Sequence, residues 1–258
     1  MRSPLPAQSI HIERATEGLV DDRLAMATGD QTERFRRLRT LFRDAGCGDQ
    51  LAESPVKHAK QPNLVCTLPG AGDDEILIGA HFDSAPSGTG VVDNWSGASL
   101  LPTLYQSLNS QPRKHTFRFV AFTDEEKGLT GSKAYVKALD RAAKARIRAM
   151  LNIDSIGTGP LNVSLSESDK NLAGILRRAA ISQKSDIRAV NTDQVGLSDH
   201  VPFRDARIPV VSVHSLTNET FPILHTPKDT FDAVDHGNYY LTYRILAIYL
   251  AFLDELLK

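Results

Sequence analysis

Short apolar runs alternate along this chain with segments whose apolar residues recur at helical spacing. The clearest run is Glu75 to His81 (EILIGAH), whose inner positions are all apolar or glycine, as expected for a strand buried on both faces of a sheet. Alternation of strands and helices is typical of a sheet whose strands run mostly parallel. We therefore expect an α/β fold, a three-layer αβα sandwich with a mostly parallel central sheet.

The same reading predicts the positions of the other elements. The predicted strands are residues 63–68, 75–81, 116–123, 149–153, 187–190 and 208–213, and the predicted helices are residues 15–45, 96–108, 133–139, 169–182 and 239–257. Within the first helix, the arginines between Arg34 and Arg43 are interspersed with apolar residues, so we expect them to form its solvated face. Residues 1–12 read as a loose N-terminal arm. No linker-like segment divides residues 13–258, which we expect to form one catalytic domain.

Charge and hydropathy argue against some classes of partner. The formal net charge of -1 gives no overall field that favours nucleic acid or an anionic membrane. No apolar stretch approaches the roughly 18 residues that a membrane span needs. The first 20 residues lack the apolar core of a signal peptide. As written, the chain would be cytoplasmic, or secreted or periplasmic if a signal was trimmed, and we expect a monomer.

The two cysteines, Cys47 and Cys66, have no CxxC neighbour and are poor candidates for zinc ligands. They could form one disulfide or remain two buried thiols, and the sequence leaves both possibilities open.

Two histidines and five carboxylates fall at points, distant in sequence, that such a fold can bring together; most follow predicted strands, whereas Asp93 precedes a helix and His225 lies in a loop before the last helix. They are His81, Asp83, Asp93, Glu125, Glu126, Asp154 and His225. Ligands of open α/β sheets bind beyond the carboxyl ends of the strands, and histidine and carboxylate are suitable zinc donors. The absence of cysteine from the set favours an open zinc site over a closed structural one.

Each of these segments has a simpler interpretation when it is taken alone. The DNWSG segment at Asp93 could be only a helix N-cap, and the acidic run at Asp124 could be solvated surface. The SDHVPF segment at Ser198 could be only a capped helix start. Their occurrence together, in one order along the chain, favours a functional site.

In these segments the chain resembles the co-catalytic di-zinc aminopeptidases of the bacterial leucyl aminopeptidase type, whose superfamily includes glutaminyl cyclases and glutamate carboxypeptidases. The resemblance extends roughly from Asn63 to the C-terminus and implies a zinc-exopeptidase-like fold. The matching segments are HFD at His81, DNWSG at Asp93, DEEKGLTGS at Asp124, NID at Asn152, SDHVPF at Ser198 and HTPKDT at His225.

The resemblance implies two Zn²⁺ ions per chain and a role for each site residue. His81 and Asp154 would bind the first ion, Glu126 and His225 the second, and Asp93 would bridge them. Glu125 would be the general base, and Asp83, which is two residues beyond His81 on extended chain, would steady that histidine.

Three further features follow from the resemblance. The Asp93–Asn94 peptide bond would be cis. Asp199 and His200 would lie near the site wall, although His200 could serve packing alone. Leu224 stands where some of these enzymes carry a tyrosine that helps to hold the oxyanion, so either zinc does this work alone or another donor replaces it.

The implied activity is hydrolysis of the N-terminal peptide bond of a peptide with a free N-terminus, by a water that the two zinc ions activate. Glutaminyl cyclase activity is an alternative on the same fold, although cyclase pockets tend to rely on several tryptophans and this chain has only Trp95. A non-catalytic peptidase-fold module is a second alternative. A carboxypeptidase is a third, and would need cations such as Arg204 or Arg207 near the site.

Overall fold

The computed structural model describes residues 12–190 and 197–257. Most of the predicted N-terminal arm, residues 1–11, therefore lies outside the described residues, and the single-domain assignment of residues 13–258 stays a prediction. Among the described residues, no helix combines the length and the apolar character that crossing a membrane requires.

Helices and strands alternate through most of the described chain. The strands are β1 (Leu51–Ser54), β2 (Asn63–Leu68), β3 (Glu75–His81), β4 (Thr116–Phe122), β5 (Ile147–Ile153), β6 (Asn162–Ser164), β7 (Arg188–Val190) and β8 (Val210–His214). The helices are α1 (Glu17–Leu24), α2 (Gln31–Asp44), α3 (Ser96–Asn109), α4 (Thr130–Ala138), α5 (Arg141–Arg146), α6 (Lys170–Ser182), α7 (Val201–Asp205) and α8 (His236–Leu256).

The strands form one sheet in the order β1-β2-β4-β3-β5-β8-β6-β7. The four central strands, β4, β3, β5 and β8, run parallel to one another. On one side β2 and β1 join in antiparallel pairing, and on the other side β6 is antiparallel to β8 and parallel to β7. The predicted parallel centre is confirmed, and the antiparallel margins make the sheet as a whole mixed.

Alternate strand residues face two separate cores, which confirms the three-layer arrangement. On β3, Ile76 and Ile78 pack in the larger core together with apolar residues of α1, α2, α3, α6 and α8. Leu77 faces the smaller core, where Tyr135 of α4 and Phe203 of α7 cover the sheet. All seven residues of β3 are buried, as the apolar run predicted.

The single helix predicted for residues 15–45 is wrong, because the chain breaks into α1 and α2. The break is set by Asp30, whose carboxylate accepts hydrogen bonds from the backbone N–H groups of Thr32 and Glu33 and so caps a new helix start. The prediction that Arg34 belongs to the solvated face of this helix is also wrong. Its side chain is fully buried, whereas Arg36 is exposed as expected.

The two cysteines form a disulfide, which decides the question that the sequence left open. Cys47 follows α2 and Cys66 lies on β2, with 19 residues of sequence separation. The bond therefore ties the end of α2 to the margin of the sheet.

Replacing both cysteines by serine is expected to lower the free energy of unfolding by about 3 kcal/mol, the loop-closure value for a crosslink of this span. Urea denaturation of the double variant and of the oxidised parent measures the difference. Reducing the parent with dithiothreitol should shift its midpoint in the same direction. Equal midpoints for the oxidised parent and the variant would show that the crosslink adds no stability.

Candidate metal centre

The carboxyl ends of three adjacent strands bring the predicted site residues together. β3 ends at His81, the chain after β4 carries Glu125 and Glu126, and Asp154 directly follows β5. Because β3 lies between β4 and β5 in the sheet, His81 stands between the two glutamates and Asp154. The convergence follows from the strand order alone.

Two groups of candidate ligand atoms lie side by side. The first group consists of His81, Glu125 and Asp154. Within it, Nε2 of His81 lies 3.5 Å from Oδ1 of Asp154. The second group is Asp93, Glu126 and His225, in which Nε2 of His225 lies 3.1 Å from Glu126 Oε2.

Asp93 contacts both groups through its two carboxylate oxygens. Its Oδ1 lies 3.2 Å from Nε2 of His81, and its Oδ2 lies 3.0 Å from Nε2 of His225. This side chain therefore spans the two groups, which is the arrangement that a bridging ligand needs.

The residues present fit metal ions by distance and by donor type. Four ligands at about 2.0–2.1 Å from a tetrahedral zinc lie about 3.3–3.4 Å from one another. The nitrogen–oxygen distances given above, from 3.0 to 3.5 Å, bracket that value. In addition, Oε1 of Glu126 is buried without a hydrogen-bond partner, as expected of an oxygen reserved for a cation.

Burial and mutual contacts shift the pKa values of these groups. Burial raises the pKa of Glu125 to about 9, with the neighbouring carboxylates of Asp154 and Asp199 adding to the effect. The hydrogen bond to Asp93 raises the pKa of His225 to about 9. Burial disfavours the charge of Asp93, but contacts with His225 and His81 outweigh it and hold the Asp93 pKa below its usual range.

Asp83 has the predicted place beside His81 and a second one that the sequence did not indicate. Nδ1 of His81 lies 3.5 Å from Asp83 Oδ1 and 3.2 Å from the Asp83 carbonyl oxygen. The Asp83 carboxylate also accepts hydrogen bonds from the backbone N–H groups of Glu125 (3.0 Å) and Glu126 (3.2 Å). Asp83 thus holds the histidine and the glutamate pair in one arrangement.

The segment around Asp93 is fixed by groups that the sequence analysis missed. The Asp93–Asn94 peptide bond is cis, as the resemblance implied. The carboxylate of Asp229 accepts hydrogen bonds from the backbone N–H groups of Val92 (2.6 Å) and Asp93 (3.1 Å). The only sequence signal for Asp229 was its place at the end of the HTPKD segment.

The SDHVPF segment contributes to the site before α7 begins. The Ser198 hydroxyl donates to Asp154 Oδ2 at 2.6 Å. Asp199 is fully buried, and burial raises its pKa to about 7. His200 is buried with its Nε2 at 3.3 Å from Glu167 Oε2, so it both packs and lines the wall.

The two groups open into a cavity of about 620 Å³. Apolar residues contribute to its lining and include Leu197, Leu216, Phe221 and Leu224. Arg204, considered above as a cation for a C-terminal carboxylate, is instead paired with Glu167 and Asp205. Within the described chain neither it nor Arg207 lines the cavity.

The buried Arg34 side chain binds the loop that joins His81 to Asp93. Its guanidinium donates to the carbonyl oxygens of Phe82, Thr89 and Gly90, which belong to the chain between His81 and Asp93. It also lies over the ring of Trp95, 5.2 Å from the centroid. This buried cation therefore fixes the connection between the first histidine and the shared aspartate.

The fold and the site together define a candidate metal-dependent hydrolase of the α/β class. Residues 63–249 match the family model described as Peptidase family M28, and the chain belongs to this family. Arg34 lies outside the matched residues.

The match between this chain and each curated relative covers only part of the relative's length. It is 33% identical over 169 residues to the aminopeptidase YwaD of Bacillus subtilis, a match to 62% of this chain and 37% of that protein. It is 37% identical over 159 residues to leupeptin-inactivating enzyme 1 of Streptomyces exfoliatus, with 59% of this chain and 35% of the relative covered. The chain thus spans little more than a third of the length of these relatives.

Solved structures share the fold. A zinc aminopeptidase from Bacillus subtilis superposes with a TM-score of 0.68 at 27% identity, covering 74% of this chain and 49% of the other. A glutaminyl cyclase from an Acidobacteriales bacterium superposes with a TM-score of 0.82 at 16% identity, covering 98% and 99%. At that identity the second likeness shows the fold alone.

Replacing Arg34 by methionine is expected to lower the free energy of unfolding by about 3 kcal/mol or more. Several buried carbonyl groups lose their donor, and each unpaired group costs about 1–3 kcal/mol. Arg36→Met, on the exposed side of the same helix, is the matched control and should change stability by less than about 1 kcal/mol. Urea denaturation of both variants measures the effect, and equal losses would contradict the supporting role of Arg34.

Proposed function

We propose that this chain is an aminopeptidase that binds two zinc ions and removes the N-terminal residue of peptides. The observation that carries the proposal is the Asp93 carboxylate, whose two oxygens reach the histidines of two separate ligand groups. The aminopeptidase relatives and the zinc aminopeptidase fold support the activity and the metal.

The ligand groups suggest how the ions would be held. His81 and Asp154 would bind one zinc, Glu126 and His225 would bind the other, and Asp93 would bridge them. When bound, the ions would lower the pKa of a water molecule and polarise the scissile carbonyl group.

Glu125 is proposed as the general base. Its carboxylate lies with His81 and Asp154 in the first group, beside the two residues that would hold the first ion. There it would accept a proton from the attacking water and pass it to the nitrogen of the leaving amine. Asp83 would orient Glu125 through the hydrogen bond to its backbone N–H.

The apolar cavity wall indicates where the substrate would lie. Leu197 and Phe221 are substantially exposed at the cavity, at 66% and 46% of their surface. Exposed apolar side chains beside a polar site are typical of a surface that contacts a ligand. We propose that they contact the side chains of the peptide.

Glutaminyl cyclase activity is kept as the second candidate, because the superfamily that the site segments resemble includes cyclases on the same fold. The site offers it less support. Trp95 is fully buried and donates from Nε1 to the carbonyl oxygen of Arg23, so it is a packing residue. Among the described residues that line the cavity there is no tryptophan.

A panel of aminoacyl p-nitroanilides is expected to be hydrolysed, with an apolar residue such as leucine among the accepted ones. Dialysis against a chelator should abolish the turnover, and added Zn²⁺ should restore it, with metal analysis giving about two ions per chain. A glutaminyl peptide is assayed for pyroglutamate in parallel. Cyclisation without anilide hydrolysis would replace the aminopeptidase proposal by the cyclase one.

Glu125→Gln is expected to lower kcat by about 10²–10⁴-fold, the usual contribution of a general base, while zinc content stays at the parent value. Glutamine keeps the shape of the side chain but cannot accept the proton. Glu255→Gln, an exposed glutamate on α8 that pairs with Lys114, is the matched control and should keep full activity. Full turnover by Glu125→Gln would remove Glu125 from the mechanism.

A further inference from the structure

Lys133 brings a fixed positive charge to a cavity that is otherwise rich in carboxylates. Among the described residues that line the cavity, it is the single lysine or arginine. The carboxylates of the lining all belong to the two ligand groups, and they are Asp93, Glu125, Glu126 and Asp154. Those side chains suit a cation or an amine, whereas Lys133 suits an anion.

A tight turn holds Lys133 on the side of the cavity that carries Glu125. The backbone N–H groups of Gly128 and Leu129 donate to the Glu125 carbonyl oxygen at 2.9 and 2.8 Å. Helix α4 begins directly after this turn, and the N–H of Lys133 donates to the Leu129 carbonyl oxygen at 3.0 Å. Gly128 and Leu129 line the cavity as well, so the whole turn contributes to one side of it.

The ammonium group of Lys133 is accessible and is not neutralised by a carboxylate. The residue is exposed, and its Nζ donates to the carbonyl oxygen of Gly128 at 2.9 Å, beside the cavity lining. An ammonium group has three N–H donors, so this contact leaves two for a ligand. Lys127, in the same turn, is paired with Asp124 at 2.9 Å, whereas Lys133 forms no ion pair with any residue that the structure describes.

The role proposed for Glu125 determines which part of a substrate would meet this cation. Glu125 would pass a proton to the nitrogen of the leaving amine, so the leaving part of the peptide has to lie beside it. Lys133 is on that same side of the cavity, at the end of the turn that starts at Glu125. A carboxylate carried by the leaving part would therefore come close to the ammonium group.

We propose that Lys133 binds a carboxylate on the leaving part of the peptide, and that the chain therefore prefers substrates that carry one there. Two sources share this chemistry. One is the C-terminal carboxylate of a dipeptide, and the other is an aspartate or glutamate side chain that follows the cleaved residue. The inference rests on the proposed peptidase function, to which it adds a specificity-determining residue and a substrate class.

The test measures leucine release from two pairs of peptides by the parent and by Lys133→Met, which keeps the length of the side chain without its charge. Leucyl-glycine and leucyl-glycinamide differ only in the C-terminal carboxylate. The C-terminal amides of leucyl-aspartate and leucyl-asparagine differ only in the side-chain carboxylate. In at least one pair, the ratio of kcat/KM for the charged peptide to that for the neutral one should fall about threefold to fivefold in Lys133→Met, the usual range for a solvent-exposed ion pair.

Three further measurements separate a contact with the substrate from a structural effect. The loss should appear in KM with kcat retained, because the contact is remote from the bond that reacts. Lys133→Glu should favour the neutral peptide of the affected pair, and added salt should weaken the preference of the parent. Lys137→Met, at an exposed lysine one turn further along α4 and outside the cavity lining, is the matched control and should keep the ratios of the parent.

Three outcomes would overturn the proposal. Unchanged ratios in both pairs would show that Lys133 does not contact a carboxylate of the substrate. An equal loss on charged and neutral peptides would assign it to the structure of the site, and the same change in Lys137→Met would indicate a general effect of surface charge. If the parent hydrolyses neither the anilides nor any of the four peptides, the proposed function fails, which is distinct from an active parent whose preference does not depend on Lys133.

Discussion

The shared carboxylate of Asp93 is the constraint on which the rest of this site depends. One side chain must reach two histidines that are 144 residues apart in sequence, His81 and His225, and its oxygens do so at 3.2 and 3.0 Å. Such a span tolerates little movement of the backbone. The chain accordingly fixes Asp93 from both sides, with Asp229 bonded to its N–H and the Arg34 guanidinium holding the loop that leads to it.

Collecting so many carboxylates in a poorly hydrated pocket opposes folding unless their charge is offset. The structure offsets it in three ways. Backbone N–H groups bind Asp83 and Asp229, the histidines contact Asp93, and the buried charge of Arg34 lies within electrostatic reach of Asp83 and Asp93. Burial nevertheless raises the pKa of Glu125 to about 9, with the carboxylates of Asp154 and Asp199 adding to the effect.

The sequence predicted those parts of the structure that depend on local pattern or strand order. Strands β2 and β3 match their predicted bounds, and the convergence of His81, Glu126 and Asp154 follows from a parallel sheet. The marginal strands β1 and β6, of four and three residues, were not predicted, although the equally short β7 lies within the strand predicted at residues 187–190.

The remaining errors concern contacts between distant parts of the chain. Arg34 has the sequence surroundings of a solvated arginine, and only the carbonyl groups of a loop about 50 residues away make its burial favourable.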